Sequence, residues 1–409
     1  MKNKLLISLS LALPLSAGAI ETNWSGFATL GYAQSNQPYR YQRWIDDGGT
    51  LMRDSVVGGQ LDLRFSPQWG AAIQGKVAPA DNHDSRVSGS ISWAFVSWRP
   101  QDDILVRIGK LRVPMMLNTE NQDVGVTYDM ARLPIEVYSI IPTVDFIGGS
   151  VAKTWLVNNL EWTLDAYAGR AKSYIRVYGR EITSYASYPG AEFLETDVDS
   201  GGLVVSVRGA ENIFRAGIHE ARVSRSGGFL EDIPLAAGGY YDVANGSRRH
   251  SFRIPVQSLG ASIMLPERVK LLAEAAHMRF TGASEGLSRW GAYVALSRQW
   301  GSWTPYVSFA RTRSTGKALS LYESIDGNAR FPSAALNKYQ KFNADVVMPY
   351  DQWTAALGTS YRIGPGGMFK AEWAQTHTGV ASSFVDAPAG GDSGGKRINI
   401  FSLSYSHSF

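Results

Sequence analysis

Phe401-Ser-Leu-Ser-Tyr-Ser-His-Ser-Phe409 closes the chain, and large and small side chains alternate along it without a break. Successive side chains of a strand point to opposite faces. Phe401, Leu403, Tyr405 and Phe409 therefore make one apolar face, and Ser402, Ser404, Ser406 and Ser408 a polar one. Such a strand has lipid on one side and water on the other. The pattern recurs upstream, with Leu61, Leu63 and Phe65 set against Gln60, Asp62 and Arg64. Trp162, Leu164, Ala166 and Ala168 oppose Glu161, Thr163, Asp165 and Tyr167, and Trp353, Ala355 and Leu357 oppose Thr354, Ala356, Ser360 and Arg362. Charges on one face of so many strands have no place in a soluble core. In a bilayer every backbone amide and carbonyl must be paired within the protein, and a closed barrel does this without leaving an edge.

Turn chemistry supplies the strand count. Short connections rich in Pro, Gly, Asn and Asp fall at 66–68, 99–103, 158–159, 210–212, 266–268, 301–302 and 364–367. Longer polar segments fall between them, at 35–54, 78–86, 112–147, 172–199, 224–255, 281–287, 314–352 and 379–396. Strict alternation of the two classes predicts an all-β, antiparallel transmembrane barrel of sixteen strands. Its short turns would lie on the periplasmic side with both termini, and its long loops outside. Strands of about eleven residues leave a barrel of this size with a water-filled interior. The segments 148–157 and 303–313 alternate imperfectly. Trp69, Trp98, Trp155, Trp162, Trp300 and Trp303 sit beside short turns, where an interfacial aromatic girdle is expected.

At the other end, Lys2 and Lys4 precede an apolar run from Leu5 to Leu15, followed by Ala17-Gly18-Ala19. This predicts a signal peptide over 1–19 and a mature barrel over 20–409. No other stretch is long and apolar enough for a membrane helix. Removing Lys2 and Lys4 lowers the formal charge from +4 to +2, and a nearly neutral chain does not point to nucleic acid. Cysteine is absent, which excludes disulfides, thiolate metal sites and a cysteine nucleophile. With 42 glycines, 19 tyrosines and 12 tryptophans, the composition suits tight turns and aromatic belts.

The C-terminal strand with its terminal aromatic residue resembles the closing strand of Gram-negative outer-membrane barrels. The whole reading resembles the general porin family of sixteen-stranded barrels. In that family the loop after the fifth strand folds inward and narrows the pore, and 112–147 matches it in position and length. The segment carries Met115, Met116, Leu117, Val124, Val126, Leu133, Ile135, Val137 and Tyr138, enough apolar surface to fold against something. The stretch Val106-Arg-Ile-Gly-Lys-Leu-Arg-Val-Pro114, through Glu136-Val-Tyr138, also looks like the core of a porin family of marine and related Gram-negative bacteria.

The resemblance implies a charged eyelet. Glu120, Asp123, Asp129, Glu136 and Asp145 outnumber Arg112 and Arg132 on the loop. Arg64, Lys76 and Arg107 are the wall cations that alternation places on the lumenal face. The plainer alternative is that these carboxylates pair with arginines and pin the loop. The family further implies an outer-membrane location, contact with outer-membrane lipid, a homotrimer, and Phe409 as the signal read by the barrel assembly machinery. Passive diffusion of small hydrophilic solutes and ions is the implied function, with no cofactor. A substrate-selective channel and a closed barrel serving as surface receptor or anchor are the alternatives.

Other chemistry finds little support. The histidines at 83, 219, 250, 277, 377 and 407 lack metal-ligand spacing. Asp326-Gly327-Asn328 and Asp46-Asp47-Gly48-Gly49 read as turns rather than calcium loops. His219 invites comparison with outer-membrane lipases, but no nucleophile motif accompanies it and its side chain is expected to face water. The expectation is of a protein that is not an enzyme.

Overall fold

The structure, a computed structural model, describes residues 20–181, 190–280 and 285–409. The expected signal peptide lies outside the described residues. The first strands are β1 (Glu21–Ser35), β2 (Val56–Arg64), β3 (Trp69–Pro79), β4 (Val87–Gln101), β5 (Ile104–Arg112) and β6 (Asp145–Val157). They are followed by β7 (Leu160–Gly179), β8 (Gly190–Arg208), β9 (Ile213–Leu230), β10 (Arg248–Leu265) and β11 (Val269–Met278). The ring is completed by β12 (Arg289–Arg298), β13 (Trp303–Ser314), β14 (Tyr350–Ile363), β15 (Gly367–Ser382) and β16 (Arg397–Ser408). Each strand pairs antiparallel with its sequence neighbours, and β1 closes the barrel on β16. The seam runs from Phe27 opposite Ser408 to Ser35 opposite Ile400. The imperfectly alternating segments fall within β6 and β13.

Alternation sorts the two faces as the sequence predicts. On β16, Phe401 and Tyr405 are 48% and 43% exposed, whereas Ser402, Ser404 and Ser406 are buried. Leu30, Ile108, Ile147, Leu259 and Leu357 extend the exposed apolar surface around the barrel. A band of this kind is stable against hydrocarbon and costly against water. Trp69, Trp98, Trp155, Trp162, Trp300 and Trp303 lie at the short-turn end. Trp69 and Trp98 stack with ring centroids 5.7 Å apart, Trp155 pairs across from Trp162, and Trp300 bridges to Trp303.

Two expectations about the long-loop end are corrected. The segments 172–199 and 224–255, read as loops, are largely strand. β7 and β8 run for 20 and 19 residues and β9 and β10 for 18 each, so strand occupies 172–179 and 190–199 of the first segment and 224–230 and 248–255 of the second. Their outer halves turn Val198, Val223, Phe252 and Ile254 inward and present Lys172, Glu195, Arg222 and Arg253 outward, so the outward apolar stripe that marks a membrane strand is missing while the backbone ladder continues. The segment 314–352, read as a long polar loop, holds two helices. A single turn, α1 (Ile135–Tyr138), lies between β5 and β6; α2 (Gly316–Asp326) and α3 (Ala334–Val346) lie between β13 and β14. Thr315 and Ser333 cap α2 and α3 by accepting hydrogen bonds from the amides of Ala318 and Leu336. Tyr322, Ile325, Ala344 and Val347 then pack with Leu230, Ile233 and Val243 from the neighbouring connection.

Candidate functional site

The segment 113–144 between β5 and β6 is held along its whole length. Met115, Met116, Leu133, Val137 and Ile140 are buried in one apolar cluster with Phe146, Phe252, Ile254, Met278 and Tyr293 of the barrel wall. At about 1.5–3 kcal/mol per buried side chain, these five residues contribute on the order of 10 kcal/mol to seating the segment. Polar contacts finish the attachment. Glu274 on β11 accepts from the Leu117 amide at 2.5 Å, the Tyr138 hydroxyl at 2.7 Å and the Tyr293 hydroxyl at 2.6 Å. Tyr306 on β13 accepts from the Ala131 amide at 2.8 Å and donates to Glu372 at 2.7 Å. Arg215 donates to the Met116 carbonyl at 2.7 Å, Arg289 to the Ser139 carbonyl at 2.7 Å, and Lys370 to the Met130 carbonyl at 2.8 Å. The partners lie on β9, β11, β12, β13 and β15, on faces opposite the exposed apolar residues. Gly291 permits the closest approach: a Cβ there would lie 2.0 Å from the Glu136 carbonyl oxygen.

The charged residues singled out from the sequence divide into several groups. Asp123 meets Lys76 at 3.0 Å and also the guanidinium of Arg112, whose side chain is 2% exposed. Burial pushes the Asp123 carboxyl up, but Lys76 and Arg112 together hold it below the usual carboxylate range. Arg132 donates to Asp54 at 2.6 Å and to Ser402 at 3.0 Å. Asp54 is likewise held low, since Arg132 and Arg53 outweigh its burial. Glu136 is buried and accepts from Gln352 at 2.7 Å and Thr354 at 2.6 Å. Asp145 pairs with Lys110 at 3.0 Å, and Asp129 accepts from Ser360 at 3.3 Å. Glu120 and Arg107 stand 3.9 Å apart with side chains 43% and 36% exposed, and the pair remains in water. Arg64 is remote from this group and approaches Glu21 near the short-turn end at 3.9 Å.

Above the segment lies a cavity of about 600 Å³, lined by Arg43, Trp44, Arg53, Asp54, Tyr128, Arg132, Tyr138, Arg289, Tyr350, Lys370 and Phe384 among others. Its rim is tied by ion pairs that sequence reasoning missed. Arg176 grips Asp84 at 2.8 Å and Asp386 at 2.6 Å, while Arg43 shares Asp84 at 2.8 Å. Outside the cavity lining, Arg180, with a 2% exposed side chain, meets Asp326, Asp345 at 3.0 Å and Asp392 at 3.1 Å. Each pair joins residues more than ninety positions apart or in different connections, which no local pattern reports.

His219 is not in water as expected. It is buried between the Tyr167 hydroxyl at 2.9 Å and the Ser258 hydroxyl at 3.2 Å, and Ser258 in turn donates to the Met115 carbonyl. The serine and histidine therefore support the seating of the segment.

Solved structures share this architecture at low sequence identity. The chain is similar to the outer-membrane protein OmpT of Vibrio cholerae in its trimer form (TM-score 0.52, 9% identity, 96% of this chain and 100% of that one). It is similar to an anion-selective porin from Comamonas acidovorans (0.53, 11%, 96% and 100%) and to the outer-membrane channel DcaP of Acinetobacter baumannii (0.53, 11%, 96% and 99%). No protein-family profile and no curated protein sequence matches the chain. The chain shares the fold of these porins and outer-membrane channels, a closed antiparallel β-barrel of sixteen strands, here encircled by an exposed apolar band.

Proposed function

From that barrel fold as premise, we propose that the protein is a water-filled channel for passive diffusion of small hydrophilic solutes and ions, narrowed by the segment 113–144 lying across its lumen. The observation that carries this reading is the distribution of the segment's contacts. It is bonded to β9, β11, β12, β13 and β15, while Arg107 and Glu120 stay half exposed facing each other. The polar row of Gln60, Asp62 and Gln74, linked by hydrogen bonds at 2.8–3.0 Å, continues the wetted wall nearby. Solutes pass along this side, and Glu120 and Arg107 set the field they meet. Asp123, Glu136 and Arg112 hold the segment in place, and Asp129, Asp145, Lys76 and Arg132 support them at the edges.

The ion pairs around the mouth favour a second reading, a substrate-selective channel whose entrance is restricted by its own loops. A homotrimer accords with the exposed apolar wall; Asp84 is occupied within its own barrel, so the 80–86 connection is not the element that would latch onto a neighbour. The deciding experiment is single-channel recording of the purified protein in a planar bilayer under a salt gradient. Steady unit openings with a nonzero reversal potential support the channel. Folded, inserted protein that stays silent overturns it in favour of a closed receptor or anchor.

A further inference from the structure

We propose that the cavity above the 113–144 segment is a binding site for small carboxylate-bearing solutes with an aromatic or otherwise apolar body. This deepens the channel reading and rests on it only in taking the cavity to lie on the solute's path. The first observation is two buried cations without ion-pair partners. Arg289 is 3% exposed and Lys370 1% exposed, and both line the cavity. Among the described residues neither forms an ion pair. Arg289 spends Nη2 on the Ser139 carbonyl and hydroxyl, and among the described residues its Nε and Nη1 have no hydrogen-bond partner. Among the described residues Lys370 has the Met130 carbonyl as its one hydrogen-bond acceptor. Glu136 acts on the Arg289 charge, and Asp129, Glu372 and Asp54 act on the Lys370 charge, from beyond contact distance; a bound anion would supply the direct pair that both buried groups lack.

The second observation is the aromatic setting of both cations. The Arg289 guanidinium lies 3.6 Å from the ring centroid of Tyr350 and 5.5 Å from that of Phe384. The Lys370 ammonium lies 3.9 Å from that of Tyr128. Trp44 adds a further ring to the same cavity. Cation–π contacts hold each charge without consuming all its N–H donors. A cavity of about 600 Å³ is in the range that encloses a small organic molecule, with apolar walls for its body and a few polar groups to fix its orientation. Inorganic anions would use the cations and leave the rings unused.

The test is binding of benzoate to the folded full-length protein in detergent micelles, followed by equilibrium dialysis, with benzyl alcohol and inorganic phosphate as comparison probes. Saturable benzoate binding, at least tenfold tighter than either comparison probe, is the expected result. Arg289→Gln and Lys370→Gln are each expected to weaken it tenfold or more, and Arg289→Lys to retain most of it. Heat-modifiable migration on a gel establishes that each variant is a folded barrel. Absence of saturable benzoate binding, equal binding of benzyl alcohol or phosphate, or full binding in folded Arg289→Gln would each overturn the proposal. Planar-bilayer recordings separate the two readings. Normal conductance without benzoate binding defeats this site alone, whereas binding by a silent protein defeats the channel and leaves the site.

Discussion

Arg176 and Asp386 meet in a two-pronged ion pair, with Nη1 2.8 Å from Oδ1 and Nη2 2.6 Å from Oδ2. Arg176 stands on β7 and Asp386 in the connection from β15 to β16, about half the ring away in strand order. The same guanidinium also holds Asp84 from the 80–86 connection. One side chain therefore ties three parts of the mouth together. Replacing it strands the Asp386 carboxylate and leaves Asp84 to Arg43 alone, and loss of one partner from a buried pair costs about 3–5 kcal/mol. Arg176→Gln is expected to loosen the mouth without unfolding the barrel: single-channel conductance rises and the 383–396 connection becomes open to protease. Unchanged conductance and protease resistance would show that the pairs do not restrict entry.

Arg180 makes a second tie, and here pH enters. Burial pushes the Asp345 carboxyl up from 3.8 to about 7, even though Arg180 pulls it down. A raised carboxyl takes up a proton on folding, so its contribution to stability is fully present below the unfolded value near 3.8 and is lost as pH rises through about 7. The connection 315–349 is therefore expected to be better ordered at pH 5 than at pH 8. Hydrogen exchange of α3 checks this, and Asp345→Asn is expected to flatten the dependence.

The pins of the 113–144 segment behave in the opposite sense. Asp123 and Asp54 are both held below their ordinary value. Their contribution is present above the unfolded value near 3.8 and is lost as pH falls through the lower folded values. Conductance is expected to stay level from pH 7 to pH 4 and to change only in stronger acid. Asp123→Asn leaves the buried Arg112 unpaired and brings that change to neutral pH; a level trace for this variant down to pH 3 would mean that the segment needs no ionic pin.

Much of this architecture is legible in the chain. The alternating Phe401 to Phe409 stretch and the seven turns determine the sixteen strands, because lipid on one face and short turn geometry are local demands. The outer halves of β7 to β10 escape that reading, since strands with water instead of lipid on their outward side keep their ladder but lose the outward apolar stripe. α2 and α3 carried a usable signal, Thr315 and Ser333 placed as caps, inside a segment that otherwise reads as polar loop. Acidic residues on 112–147 were visible, yet their division into pins such as Asp123 and a wetted group such as Glu120 depends on burial. Arg289, Lys370, Arg176 and Glu274 gave no sequence signal, because their roles arise from residues brought together across the barrel.

Selectivity is expected to follow Glu120 more than the buried carboxylates. Its side chain is 43% exposed and 3.9 Å from Arg107, so its charge reaches the water. Glu120→Gln is expected to move the reversal potential in a salt gradient toward anions, and Arg107→Gln toward cations. Equal shifts from Glu136→Gln, whose carboxylate is buried against Gln352 and Thr354, would place the field elsewhere.

Phe409 completes the seam between the two ends of the barrel. Its backbone exchanges hydrogen bonds with Gly26 at 2.8 and 3.0 Å, and its ring covers Gly26 so closely that a Cβ there would lie 2.4 Å from Cζ. Two effects of deleting Phe409 are therefore separable. Loss of the seam bonds lowers the unfolding temperature of protein refolded in detergent, while loss of a terminal aromatic signal lowers the amount of folded barrel in the outer membrane of cells. Deletion is expected to do both, and Phe409→Ala, which keeps the backbone bonds, to impair assembly in cells far more than stability in detergent. If Phe409→Ala assembles normally, the ring serves the seam alone and the assembly role is discarded.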